Sequence, residues 1–264
     1  MPSTTEITVP QLSRLIGLPH LPAIVDVRAD EEFASDPRLV PGSRRRPAAP
    51  DLSWVSEHTG QSVIVVCKDG LHLSQGISAL MRQQGIDAQT LEGGYDCWRD
   101  SGQLLVRTER LPDSDEAGRT IWVTRARPKV VRIACPWLIR RFIDRKALFL
   151  FVAPSEVPAV AVRFKATPFD VADAFWTDRG DNCTFDVMVE EFGLGSDALV
   201  RLALIIRGAD TGRLDLTAQS GGLLAASLGY SRMYRDDLAQ LEAAMPLYDA
   251  FYRWSRDASN ETHA

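Results

Sequence analysis

The sequence predicts two domains in tandem, an α/β domain on a central parallel sheet and then a mostly helical α+β domain. Three observations carry this. Val63-Ile64-Val65-Val66 is an unbroken run of β-branched apolar residues, the pattern of a strand buried on both faces of a parallel sheet. Residues 108–119 are charged, poor in apolar side chains and carry a proline and a glycine. Such a stretch cannot bury enough surface to fold alone and reads as a connector. Beyond it, apolar side chains recur at helical spacing far more than at strand spacing.

The elements of the first half follow from the central run. Cys67 stands where the strand must turn, and Gly70 permits a tight or left-handed backbone there. From Leu73 the chain reads as a helix with Ile77, Leu80 and Met81 on its apolar face and Gly85 as its stop. A cysteine between a strand end and a helix start sits among unpaired amides and the positive end of a helix dipole. Both favour a thiolate and a bound anion. The plainer alternative is a structural cysteine at the edge of the core.

In the second half, Thr120–Arg125 and Leu148–Val152 read as strands, the latter closed by Pro154. Val131–Asp144 reads as a helix, with Ile133, Trp137, Leu138 and Phe142 on one face. Its regular part is expected to begin at Pro136, since proline suits a first turn. Glu156–Lys165 suggests a short helix and Ala174-Phe175-Trp176 a short extended piece. Further helices are expected at Phe185–Phe192, Asp197–Gly208, Gly222–Leu228 with Gly229 as a cap, and Asp236–Arg256. Leu238, Leu241, Met245, Tyr248, Tyr252 and Trp254 make the last helix aromatic, and these side chains are expected in the core.

Composition narrows the function classes. The chain has 264 residues, room for two cores, with 45% hydrophobic and 25% charged residues. Its formal net charge of -5 argues against a protein that lives on nucleic acid. The basic clusters Arg44-Arg45-Arg46, Arg125 to Arg132 and Arg140 to Lys146 read as solvated faces or as lures for a small oxyanion. Nothing near Met1 has the basic and apolar regions of a signal peptide, and no apolar run is long enough to span a bilayer. A cytoplasmic location is expected. Cys67, Cys97, Cys135 and Cys183 are scattered without a Cys-x-x-Cys pair, the pattern of free thiols in a reducing compartment.

Around the cysteine loop the chain carries Ala23-Ile24-Val25-Asp26-Val27-Arg28, Glu31-Glu32-Phe33, Val40-Pro41-Gly42-Ser43 and Leu91-Glu92-Gly93-Gly94-Tyr95-Asp96-Cys97-Trp98. In this order the set resembles a rhodanese domain. The resemblance implies a rhodanese-like domain over 5–106, a linker over 107–119 and a second domain over 120–257. It implies a persulfide on Cys67 within a cradle of loop amides, with Lys68, Asp69, Gly70, Leu71 and His72 forming the substrate loop. Asp26 and Arg28 would brace that loop from the strand end. The usual loop is Cys-x-x-Gly-x-Arg, and His72 stands at the arginine position.

The stretch Arg127-Pro128-Lys129-Val130-Val131-Arg132-Ile133-Ala134-Cys135-Pro136-Trp137-Leu138-Ile139-Arg140-Arg141-Phe142-Ile143-Asp144 is similar to the signature of the ChrB family of chromate-resistance proteins. Pro168-Phe169-Asp170-Val171, Gly180-Asp181-Asn182-Cys183-Thr184-Phe185-Asp186 and Arg207-Gly208-Ala209-Asp210-Thr211 follow in the family's order. Val131 and Asp178 replace the family's usual aspartate and histidine. His263, in a polar tail, is the only histidine of this half, so no metal site is expected and no cofactor is implied. A carboxylate site from Asp178, Asp181, Asp186, Glu190 or Asp210 is the alternative to solvated surface acids.

The two resemblances together imply a sulfurtransferase tied to chromate resistance. Its partners would be a small sulfur donor such as thiosulfate and a thiol or cyanide acceptor, with chromate or another oxyanion in the second domain's setting. The competing reading is a non-enzymatic thiol sensor or regulator of the chromate response. A phosphatase or arsenate reductase on this scaffold would need an arginine fork that the loop lacks.

Overall fold

The computed structural model describes residues 5–46, 48 and 52–261, so His263 lies outside the described residues. The chain divides into two compact units, Met1–Glu109 with Arg141–Ile143, and Arg110–Arg140 with Asp144–Ala264.

In chain order the first unit contains β1 (Glu6–Ile7), α1 (Val9–Leu15), β2 (Ala23–Asp26), α2 (Asp30–Ser35), β3 (Arg38–Leu39) and β4 (Ser43–Arg45). There follow β5 (Ser62–Val66), α3 (His72–Gln83), β6 (Asp87–Leu91), α4 (Gly94–Asp100) and β7 (Val106–Arg107). A parallel sheet runs in the order β1-β6-β5-β2-β4. The β-branched run is β5, the middle strand, with Val25 beside Val65 and Asp26 beside Val66. After β2 the chain goes out to β4 and then returns to the opposite side of β2 as β5. That reversal opens a crevice at the carboxyl ends of β2 and β5, where open α/β sheets bind their ligands. Cys67 and the pair Asp26–Arg28 both stand at this end.

Helix α3 covers the sheet with Ser74, Ile77, Ser78 and Met81 buried. Leu80, expected on the apolar face, is instead exposed. The buried stripe follows i, i+3, i+4, i+7 spacing, but serines fill half of it and disguise its position. Ser78 can lie inward because Thr90 Oγ1 donates to it at 3.1 Å. Gly85, left-handed at φ +76°, closes the helix, with the Ile86 amide reaching back to the Met81 carbonyl.

The segment expected to be a linker is structured at both ends. β7 pairs antiparallel with β3, and Thr108 Oγ1 donates to the Pro37 carbonyl. Ser114 bridges Thr120, and Asp115 accepts from the Arg119 amide at 2.8 Å and side chain at 2.9 Å. Its charged residues are therefore partly spent on one another.

The second unit contains β8 (Ile121–Arg125), α5 (Val131–Leu138), β9 (Leu148–Val152), α6 (Val157–Phe164), β10 (Thr167–Pro168) and α7 (Thr184–Glu191). Three longer helices follow, α8 (Asp197–Thr211), α9 (Ser220–Met233) and α10 (Asp237–Arg253). Its parallel sheet has the order β10-β8-β9. Trp137 on α5 anchors the helical layer, in ring contact with Phe185, Tyr248 and Tyr252, its Nε1 donating to Asp249 at 2.8 Å.

Three helix boundaries differ from expectation. α5 begins at Val131, not at Pro136, and a π turn at Ile139–Ile143 continues it. Burial of seven of its eight residues outweighs the proline's missing donor. α9 starts at Ser220 and runs through Gly229 to Met233, so Gly229 is no cap. α8 passes Gly208 and ends at the left-handed Gly212. Gly208 instead lets α9 come close: a Cβ there would lie 2.9 Å from the Arg213 carbonyl and against Ser220.

Candidate functional site

Cys67 follows β5 with its side chain buried. Its Sγ lies 3.0 Å from Ser74 Oγ, on the first turn of α3, and donates to Asp69 Oδ1 at 3.3 Å. Asp69 also accepts the Leu71 amide at 3.0 Å, and that bond, ahead of all other influences, holds its carboxyl below the usual range. Ser74 Oγ donates to the Leu71 carbonyl at 3.3 Å. The sulfur is thus set between the loop tip and the helix start.

The loop's backing is tight. Gly70 has φ +74°, and a Cβ on it would fall 2.6–2.8 Å from Leu91 O, Gly94 N and Gly93 N. Gly94 likewise abuts Gly70 and the carbonyls of Cys67 and Lys68. Across this contact the amides of Tyr95 and Asp96 donate to the Cys67 and Lys68 carbonyls, each at 2.9 Å. Only glycine allows both backbones so near.

Asp26 and Arg28 form a wholly buried pair, Arg28 Nη2 to Asp26 Oδ2 at 2.6 Å. Arg28 also donates to the carbonyls of Asp36 and Arg38 at 3.0 and 2.7 Å, and its guanidinium lies over the Tyr95 ring at 3.6 Å. Burial and then Asp36 push the Tyr95 phenol up to about 12, while the hydrogen bond from Arg38 holds Asp36 down to about 2.

Of the remaining loop residues, Lys68 is exposed. It lines a cleft of about 280 Å³ with Arg28, Glu32, Tyr95, Asp96 and Arg99. His72 is the first residue of α3 and exposed, and Leu71 is exposed beside it. The polar groups on the sulfur are Asp69 and Ser74. Ser74 escaped the sequence reading, although its place seven residues after Cys67, in the first helical turn, is a usable signal.

In the second unit the family-like stretches converge on Asp170, a non-glycine residue at φ +51°. Its carboxylate meets Arg125 at 3.1 Å and Arg132 at 3.2 Å and accepts from Thr184 Oγ1 at 3.3 Å. Burial pushes the Asp170 carboxyl up in spite of the arginines. Asp210 keeps part of its side chain in solvent. Even so, desolvation, followed by the charge of Asp170, pushes it up to about 6. Asp178 accepts the Thr184 amide and hydroxyl at 2.7 Å, and Asp186 pairs with Arg207 at 3.0 Å. Cys135 and Cys183 are buried, and desolvation raises both thiols. Among the described residues no three His, Cys, Asp or Glu side chains gather as a metal site. The basic clusters are also engaged: Arg45 pairs with Asp30, Arg46 with Glu57, and Arg140 with Glu242.

Comparison with known proteins supplies the family. The model of the ChrB C-terminal domain matches residues 122–255. The chain belongs to the ChrB C-terminal domain family. A rhodanese-like domain, matched over residues 8–101, precedes the ChrB-family domain. Protein ChrB of Cupriavidus metallidurans is 35% identical over 133 residues, which make up 50% of this chain and 39% of that protein. The chain thus spans well under half the length of this curated relative. Among solved structures, a rhodanese-like domain protein from Staphylococcus aureus is 29% identical, covering 36% of this chain and 90% of its own, with a TM-score of 0.32. A thiosulfate sulfurtransferase from Pseudomonas aeruginosa is 23% identical, covering 42% of this chain and 21% of its own, with a TM-score of 0.35. No helix among the described residues is long and apolar enough to cross a membrane.

Proposed function

We propose that the rhodanese-like domain moves sulfane sulfur through a persulfide on Cys67, and that the ChrB-family domain ties this chemistry to chromate resistance. The observation that carries the reading is the setting of Cys67 Sγ. It stands at the carboxyl end of the middle strand, 3.0 Å from Ser74 Oγ and inside a glycine-backed loop. In the first step the Cys67 thiolate attacks the outer sulfur of the donor, a Cys67–S–S bond forms, and the donor's S–S bond breaks. With thiosulfate the leaving group is sulfite. An acceptor thiolate or cyanide then attacks the outer sulfur and releases the Cys67 thiolate. Ser74 is placed to hold the resting sulfur and to follow it as the charge changes.

Intact-mass measurement of the full chain after exposure to thiosulfate or to a small alkyl persulfide tests this. One added sulfur atom that maps to Cys67 and is lost in Cys67→Ser is the expected result. A thiol that is only oxidised, with no sulfur taken from either donor, would favour the sensor reading. The link to chromate is tested in cells: tolerance should fall on loss of either domain. Full tolerance from the ChrB-family domain alone would make the sulfur chemistry incidental.

A further inference from the structure

One residue of the loop is placed against an anionic donor. Asp69 Oδ1 stands 3.3 Å from Cys67 Sγ and 3.0 Å from the Leu71 nitrogen. It therefore occupies a loop amide that an anion bound beside the sulfur would use. The loop does not relax away from it on the inner side, where Gly70 abuts the backbone of Leu91, Gly93 and Gly94. Ser74 closes the helix side at 3.0 Å from the sulfur. Of the nearby cations, His72 acts on the Asp69 carboxylate only as the last of the influences on it. Lys68 lines the cleft beside Asp96 and Arg99, and His72 is exposed at the helix start.

We propose that Asp69 is a charge filter on the Cys67 thiol, which selects a sulfur donor of lower negative charge, such as the hydropersulfide of a small thiol, over the thiosulfate dianion. The proposal rests on the sulfur-transfer reading for its substrate and on the loop geometry for the filter. The favoured step is balanced without any further reactant. Cys67–S⁻ attacks the terminal sulfur of R–S–SH, Cys67–S–SH forms, and R–S⁻ leaves and takes a proton from water. With thiosulfate the same attack brings a dianion up to a carboxylate that, although exposed, stands 3.3 Å from the sulfur, and like charges at a few ångströms repel even in water.

The test uses the full chain in a Cys97→Ser background, since Cys97 is exposed while Cys67, Cys135 and Cys183 are all buried and are told apart by their peptides. Alkylation of Cys67 is followed by peptide mapping with neutral iodoacetamide and with anionic iodoacetate. The ratio of the two rates cancels changes in thiolate fraction. Asp69→Asn should lower the preference for the neutral reagent by about fivefold or more, and Asp69→Ala should do the same, because each removes one charge at contact distance. In parallel, sulfur loading from thiosulfate should rise in both variants relative to loading from a hydropersulfide. An unchanged alkylation ratio together with unchanged donor preference overturns the filter and leaves sulfur transfer standing. A shifted ratio with no sulfur loaded from either donor overturns sulfur transfer, and with it the proposed donor, while the filter at the thiol stands.

Discussion

The guanidinium carbon of Arg28 lies 3.6 Å from the centre of the Tyr95 ring, and the Tyr95 amide donates to the carbonyl of Cys67. A buried ion pair at the end of one strand is thereby tied, through one aromatic residue, to the backbone of the cysteine at the end of the next. The pair also crosslinks the carbonyls of Asp36 and Arg38. Arg28 is therefore bonded to Asp26 and to two carbonyls beyond the strand end, an arrangement that fits the proposed brace for the loop.

Removing Arg28 should be costly. Arg28→Ala strands the Asp26 carboxylate in the core and should destabilise the rhodanese-like domain by about 3–5 kcal/mol. Tyr95→Leu keeps the ion pair and should cost less. Urea unfolding of both variants checks the order, and an equal cost for the two would contradict it.

Gly70→Ala should cost more than an ordinary loop substitution. The residue would carry φ +74° and a Cβ 2.6–2.8 Å from three backbone atoms. Strain alone is worth about 1–3 kcal/mol, and the contact requires the helix start at Gly94 to move. The expected outcome is a lower melting temperature together with loss of sulfur loading at Cys67, whereas Gly60→Ala, where a Cβ meets nothing within 4 Å, should show only the backbone strain.

Ser74→Ala separates packing from chemistry. The hydroxyl is buried and bonded to the Leu71 carbonyl, so its loss should cost about 1 kcal/mol. Loading of Cys67 should slow several-fold more than that stability loss explains, with Ser74→Thr recovering part of the rate. Equal rates in wild type and Ser74→Ala would remove Ser74 from the mechanism.

The ChrB-family domain should show a pH dependence centred on Asp210. Its folded pKa of about 6 is above the ordinary 3.8. Between these values the folded carboxyl keeps a proton that the unfolded chain has lost. Stability contributed by this group is thus greatest below about pH 4 and falls as pH rises through about 6. Asp210→Asn keeps an acceptor for the Val131 amide and should flatten that slope and stabilise the domain near neutral pH. A slope unchanged by the substitution would assign it to another group.

Much of the rhodanese-like domain was legible locally. Four adjacent β-branched residues have few stable settings other than a buried strand, and a cysteine, a glycine and a helix start within a few residues mark a loop. The helical domain was less readable at its boundaries. Pro136 and Gly229 look like signals that start or stop a helix, but burial of the residues around Pro136 carried α5 through it, and α9 runs on past an exposed Gly229 to Met233. Leu80 was misjudged and Ser74 passed over because position on α3, more than polarity, decided which of them faces inward.

The order of two domains, the parallel sheet beneath Cys67 and the family resemblance of each half can be read along the chain, because these depend on contiguous patterns. What stands at the sulfur follows from the folding of the loop. Asp69 reaches the sulfur from within the loop and Ser74 from the first turn of α3, while Tyr95 holds the Cys67 carbonyl across the contact of two glycine backbones. Contacts of that kind are set by backbone curvature and close packing, which no spacing of residue types along the chain encodes.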